Sequence, residues 1–212
     1  MLVAIAAGLS ACAVVPPGIL IARPEFIDRI QVEAPPPGWK RLAVVPFGGD
    51  PAHRRPAEEL VAVTLVRYVP FAVLGPFPLR RHLGDGPASG LLAEAGSWAH
   101  ALADPSGAEI SRDRLRRLAL DSGADALVLG WLAPGGASAE LVLVDAGSGA
   151  PVAALRRTGS ASAAERGVHE LAMSSTQEAL IDLVEVLRTP PGARPKVRPP
   201  RKPHEPQAGE VP

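Results

Sequence analysis

Cysteine is all but missing from this chain. Cys12 is the one thiol in 212 residues, so no disulfide can close within a single copy. Aromatic residues are scarce too, at 4%, so the core has to be made of Ala, Val and Leu. Lysine occurs only at Lys40, Lys196 and Lys202, and the formal net charge is zero. That balance removes the overall basic pull of a nucleic-acid binder. The apolar run Leu2 to Val15 is shorter than the ~20 residues a spanning helix needs, and Pro16-Pro17 stops any helix there.

Catalytic and metal-binding patterns are equally thin. Gly48-Gly49 follows an apolar run, yet it is neither G-x-G-x-x-G nor a phosphate loop with Gly-Lys-Ser/Thr, and reads as a turn. No serine sits in G-x-S-x-G. His53, His82, His100, His169 and His204 are scattered, with no pair at zinc-ligand spacing, and read as surface residues. Glu58 and Glu59 point apart as neighbours on a helix and suit its positive end. No catalytic constellation stands out, and no cofactor, no metal and no nucleic-acid partner are expected.

What is present begins at Leu9-Ser10-Ala11-Cys12, closing the apolar run. It resembles the lipobox of bacterial lipoproteins, in which a peptidase cuts before a cysteine that is acylated. The resemblance implies cleavage between Ala11 and Cys12, lipidation of Cys12, and attachment to a membrane through its acyl chains. A small-residue cleavage motif after a short apolar stretch marks an export signal rather than structure; a buried core strand with a buried thiol is the alternative. No Lys or Arg precedes Arg23, so the charged segment of an export signal is missing, as a start codon placed too late would explain. Ala13, not Asp, follows the cysteine, which by the lipoprotein sorting rule implies the periplasmic face of the outer membrane.

Four regions follow: a signal peptide over 1–11, an acylated cysteine and Pro-rich tether over 12–40, a folded domain over 41–188, and a basic Pro-rich tail over 189–212. Within the tether, 25–32 is the one stretch with strand or helix-turn character. The domain is expected to be mixed α/β, a layered sheet of about five short strands with flanking helices and a long C-terminal helix. Leu42 to Phe47 and Ala126 to Leu132 are continuous apolar runs, the pattern of strands covered on both faces. Phe71 to Gly75 is a third strand. Segments 140–145 and 152–156 form a hairpin around Gly147-Ser148-Gly149.

Helices are expected from Pro56 to Pro70, as a turn or two over 78–83, and from a Ser111 cap to a Gly123 stop. In that last helix Leu115, Leu118, Ala119 and Ser122 share one face. A long helix over 163–188 buries Val168, Ala172, Ser175, Ala179, Leu183 and Leu187. Segment 84–109 is rich in Gly and Pro and reads as a long functional loop with a helix around 91–103. From Thr189 onward nothing can build a core, so the tail is expected to be disordered. Its Arg194, Lys196, Arg198, Arg201 and Lys202 suit contact with anionic lipid or cell-wall polymer.

Three short motifs carry a resemblance: Arg41-Leu-Ala-Val-Val-Pro-Phe47, Ser122-Gly-Ala-Asp-Ala-Leu-Val-Leu-Gly130, and Leu141-Val-Leu-Val-Asp-Ala-Gly-Ser-Gly149. Their order and spacing resemble a group of envelope lipoproteins related to the curli-secretion lipoprotein, to lipoprotein activators of penicillin-binding proteins, and to the amino-terminal domain of the Tol–Pal translocation protein. The resemblance implies a periplasm-facing, non-catalytic assembly or interaction module whose protein partner is unidentified. A secretion-channel subunit is the rival reading, although no pair of ~9–11-residue alternating strands is present to span a membrane. An enzyme with an unfamiliar site is the other. Candidate partner contacts are Trp98, which reads equally as a cover for one end of the core, and Arg112 and Arg116 on the helix that follows. Asp145 and Gly149 are assigned to turn geometry, Gly149 by a positive φ.

Overall fold

The computed structural model describes residues 32–84, 88–103 and 111–198. The lipobox with Ala11 and Cys12, the chain through Gln31, the links 85–87 and 104–110, and the tail from Pro199 with His204 lie outside the described residues.

The domain is mixed α/β. Its strands are β1 (Arg41–Val44), β2 (Gly48–Gly49), β3 (Ala72–Leu74), β4 (Ala126–Leu132), β5 (Ser138–Asp145) and β6 (Pro151–Thr158). They form one sheet in the order β3-β1-β4-β5-β6, with β2 continuing beside β4 where β1 stops. The β1, β2, β3 and β4 pairings are parallel, while β5 and β6 add as an antiparallel hairpin. The helices are α1 (Arg54–Tyr68), α2 (Pro76–Leu83), α3 (Ala88–Ala103), α4 (Arg112–Ser122), α5 (Ala161–Arg166) and α6 (Val168–Arg188).

Side-chain alternation along the central strands splits the core in two. Leu42, Val44, Ala126 and Val128 face α1 and α6, packing with Val61, Leu65, Ala179 and Leu183. Ala43, Val45, Leu127 and Leu129 face the opposite layer, against Leu79 of α2, Trp98 and Ala99 of α3, and Leu115 and Leu118 of α4. Burial on both faces is why β1 and β4 read as continuous apolar runs.

The structure changes several expected boundaries. The long final helix is two: Gly167 at φ 115° separates α5 from α6, a backbone that a side-chain-bearing residue rarely adopts. Val168, just past that break, is exposed, not part of the buried stripe. The expected loop-rich region holds the 16-residue α3, whose Leu92, Ala95 and Ala99 lie on the sheet. On α1 the buried face is Ala57, Glu58, Val61 and Leu65, and Val63 points outward.

Both ends of the domain also extend further than expected. Residues assigned to the tether pack on it: the Glu33 N–H donates to the Val152 carbonyl (3.0 Å), and Trp39 Nε1 donates to Asp145 Oδ1 (3.1 Å). The start of the expected disordered tail folds back on α6. Arg198 bridges Asp182 (Nε to Oδ1, 2.9 Å) and Glu178 (Nη1 to Oε2, 2.9 Å), and Val197 packs against the core. The cause is Asp182, buried on α6, whose carboxylate also accepts from Arg157 Nε (2.6 Å). A buried charge has to be paired, and one of its two cations comes from beyond the helix. Hydrogen bonding to Asp182 holds Arg198 above its ordinary pKa against the opposing effect of burial, with Glu178 adding to the rise.

Candidate functional site

Where β1 ends, Pro46 breaks the strand and β2 resumes beside the end of β4. A cleft of about 580 Å³ opens there, floored by Phe47, Gly48, Gly49 and Trp131 and walled by Arg54, Arg80 and α3. The floor depends on close backbone approach. A Cβ on Gly48 would lie 1.7 Å from the Gly96 carbonyl oxygen of α3, so both positions have to be small. On the α1 side Glu58 is buried: Oε1 accepts the Phe47 N–H (2.8 Å), and the carboxylate takes Arg80 Nη2 on both oxygens (3.1 and 2.9 Å). Glu58 therefore serves as an internal anchor of the cleft, not as helix-end electrostatics. The spacing of two adjacent glutamates gave no sign of this, because the partner Arg80 lies 22 positions away.

Beside the cleft, the His100 ring stacks on Trp131, with centroids 5.0 Å apart and planes 20° apart. His100 Nδ1 lies 3.1 Å from Oε2 of the buried Glu140, whose other oxygen accepts from Arg156 Nε (2.7 Å). At the start of α1, the His53 and His169 rings meet at 5.7 Å, and His53 Nδ1 lies 3.3 Å from Asp50. The sequence places these two histidines 116 positions apart and offers no sign that they meet. Burial opposes the Asp50 charge, but N–H donors from Ala52 and Gly135 together with His53 hold its pKa below the ordinary value. Among the described residues, no three His, Cys, Asp or Glu side chains are grouped to hold a metal ion. Nor is any helix among them long and apolar enough to cross a membrane.

The motif residues take structural positions. Phe47 lies flat on Gly130: a Cβ there would sit 2.2 Å from the ring, which accounts for an aromatic at 47 with glycine at 130. Asp125 Oδ2 accepts the N–H groups of Lys40 (2.7 Å) and Arg41 (2.9 Å), tying the start of β4 to the start of β1. Asp145 Oδ2 accepts from the Ser148 N–H and hydroxyl (both 2.7 Å), closing the β5–β6 turn. Gly149 has φ 67° and approaches α4 so closely that a Cβ would lie 2.5 Å from the Arg112 carbonyl oxygen.

The partner contacts chosen from sequence fare unequally. Trp98 is only 4% exposed, packed in the α2–α4 layer with the Arg114 guanidinium 5.6 Å above its ring. That is the core-cover alternative, and it takes Trp98 out of a docking surface. Arg112 and Arg116 are exposed, and Arg116 reaches toward Asp113 (3.7 Å) while their stems flank Gly149. Comparison with family models, with curated proteins and with solved structures found no match.

Proposed function

We propose that the chain is an envelope lipoprotein, held to a membrane by acyl chains on Cys12, with its α/β domain acting as a non-catalytic assembly or interaction module facing the periplasm. One observation carries the reading: Leu9-Ser10-Ala11-Cys12 closes a short apolar run and is followed by the Pro-rich stretch that precedes the folded domain. The outer membrane is the proposed location, because Ala13 follows the cysteine.

A surface suited to a protein partner lies on α1 and α2. Val63 (68% exposed) and Val66 (64%) lie on the outer face of α1, and Phe77 (73%) stands at the start of α2. The two helices meet at Gly75, where an added Cβ would lie 3.6 Å from Ala62 Cβ. This apolar group borders β3, the last strand on that side of the sheet. An exposed aromatic beside the sheet's edge strand is the kind of anchor that dominates partner binding. The module reading places an envelope protein there.

Mass analysis of the amino-terminal peptide from purified membranes tests the anchor. The expected product starts at acylated Cys12, since two or more acyl chains give stable attachment. Unacylated protein still carrying Met1 would overturn the lipoprotein reading. A photo-crosslinking residue at position 77 or 66, compared with position 117 on α4, tests the module. A discrete adduct from the first two and none from the third is expected; equal labelling at all three positions would count against that surface.

A further inference from the structure

We infer that the cleft at the carboxyl ends of β1 and β4 is a binding site for a small solute carrying a carboxylate or phosphoryl group. The inference does not depend on the membrane anchor. Its first ground is topological. From β1 the chain crosses one face of the sheet through α1 to reach β3, then returns across the other face through α2, α3 and α4 to reach β4 on β1's opposite side. The two crossovers part between β1 and β4, where an open α/β sheet leaves a crevice outside its carboxyl edge. That crevice is the cleft observed, and its volume of about 580 Å³ falls in the range of small-molecule sites.

The lining supplies the chemistry. Arg54 is exposed, and among the described residues its guanidinium makes no ion pair. Arg80 uses Nη2 alone to hold Glu58, while its side chain stays 41% exposed. Glu58 is fixed in turn by the Phe47 N–H, so Arg80 is held in place with donors still open to the cleft. Among the described residues that line the cleft, none is acidic. A guanidinium fork fits a planar carboxylate or a phosphoryl group better than a point charge would. Ser89 adds a hydroxyl, whereas the Ser97 hydroxyl is committed to the Glu94 carbonyl (2.8 Å). Leu92, Ala93 and Trp131 offer an apolar wall for the rest of the ligand, with Trp131 braced by His100.

The test is thermal unfolding of the full chain with inorganic pyrophosphate or citrate, against sodium chloride at matched ionic strength. A ligand that binds only the folded state at ten times its Kd raises the midpoint by about 3–6 °C in a domain of this size. Saturable stabilisation by either anion is expected for the wild type. It should be lost in Arg54→Ala, reduced in Arg80→Lys (which keeps a cation for Glu58), and kept in Arg112→Ala at the opposite end of the strands, beside Gly149. A phosphoryl preference or a carboxylate preference follows from which anion acts at lower concentration. No stabilisation of the wild type by either anion, or equal stabilisation of wild type and Arg54→Ala, would overturn the assignment.

Discussion

The two ends of the parallel strands are built differently. At the amino end, Asp125, Asp145, Trp39 and Gly149 converge, and their polar groups are tied to backbone or to one another. At the carboxyl end, Gly48, Gly49, Arg54 and Arg80 surround an open cleft, and one of the two arginines makes no ion pair among the described residues. Of the short motifs that stand out in the sequence, Asp125, Asp145 and Gly149 fall at the closed end, while Pro46, Phe47 and Gly130 reach the open one. They stand out because tight turns and close approaches admit few residue types. An open site places weaker demands on sequence, since two arginines 26 positions apart become neighbours only through the fold.

The most disruptive way to break this comparison is to remove what both ends share. Leu127 is fully buried at the middle of the sheet, and Leu127→Asp would bury an unpaired charge there. A loss of several kcal/mol, enough to abolish cooperative unfolding by circular dichroism, is expected. Gly149→Ala strikes the closed end alone. Its Cβ would meet α4 backbone at 2.5 Å in a left-handed conformation, so a loss of about 1–3 kcal/mol in urea unfolding is expected.

Truncation before Pro190 is expected to be milder, because Asp182 keeps Arg157 when Arg198 is lost. A midpoint drop of about 2–4 °C corresponds to ~1 kcal/mol, and no change at all would mean that residues 190–198 add nothing.

Smaller still is the acid dependence of the closed end. Burial works against the Asp145 charge, but donors from Ser148, Trp39 and Gly147 outweigh it and hold its pKa below the ordinary 3.8. A depressed folded-state pKa adds stability that is complete above the ordinary value and disappears as pH falls below it toward the folded value. Asp145→Asn should therefore flatten the acid limb of a stability–pH profile below about pH 4 while costing ~1 kcal/mol at neutral pH. Arg54→Ala, at the open end, should change stability by less than ~0.5 kcal/mol.

Much of the fold was legible beforehand because burial leaves periodic marks. β1, β4 and the hairpin read directly from apolar runs and turn glycines, and α4's buried face, Leu115, Leu118, Ala119 and Ser122, is the one its spacing gives. What escaped was decided by distant partners. Glu58 looked like a helix-end charge until Arg80 and the Phe47 N–H came to it through the fold. Trp98 looked loop-borne because Gly90 and Gly96 surround it, although Gly96 is there to let α3 touch β2. Arg198 looked like one more tail cation, and only the burial of Asp182 explains its place. The cleft itself follows from strand order, which no local pattern encodes.

The central claim, that the open carboxyl end is the working end and the closed amino end is scaffold, is tested most directly by amide-resolved NMR during titration with pyrophosphate and with citrate. Shifts confined to Gly48, Gly49, Ser89, Gly96 and Ser97, with Asp125 and Ser148 unmoved, are the predicted result. Shifts gathered around Asp125, Ser148 and Gly149, or none at either end, would contradict it.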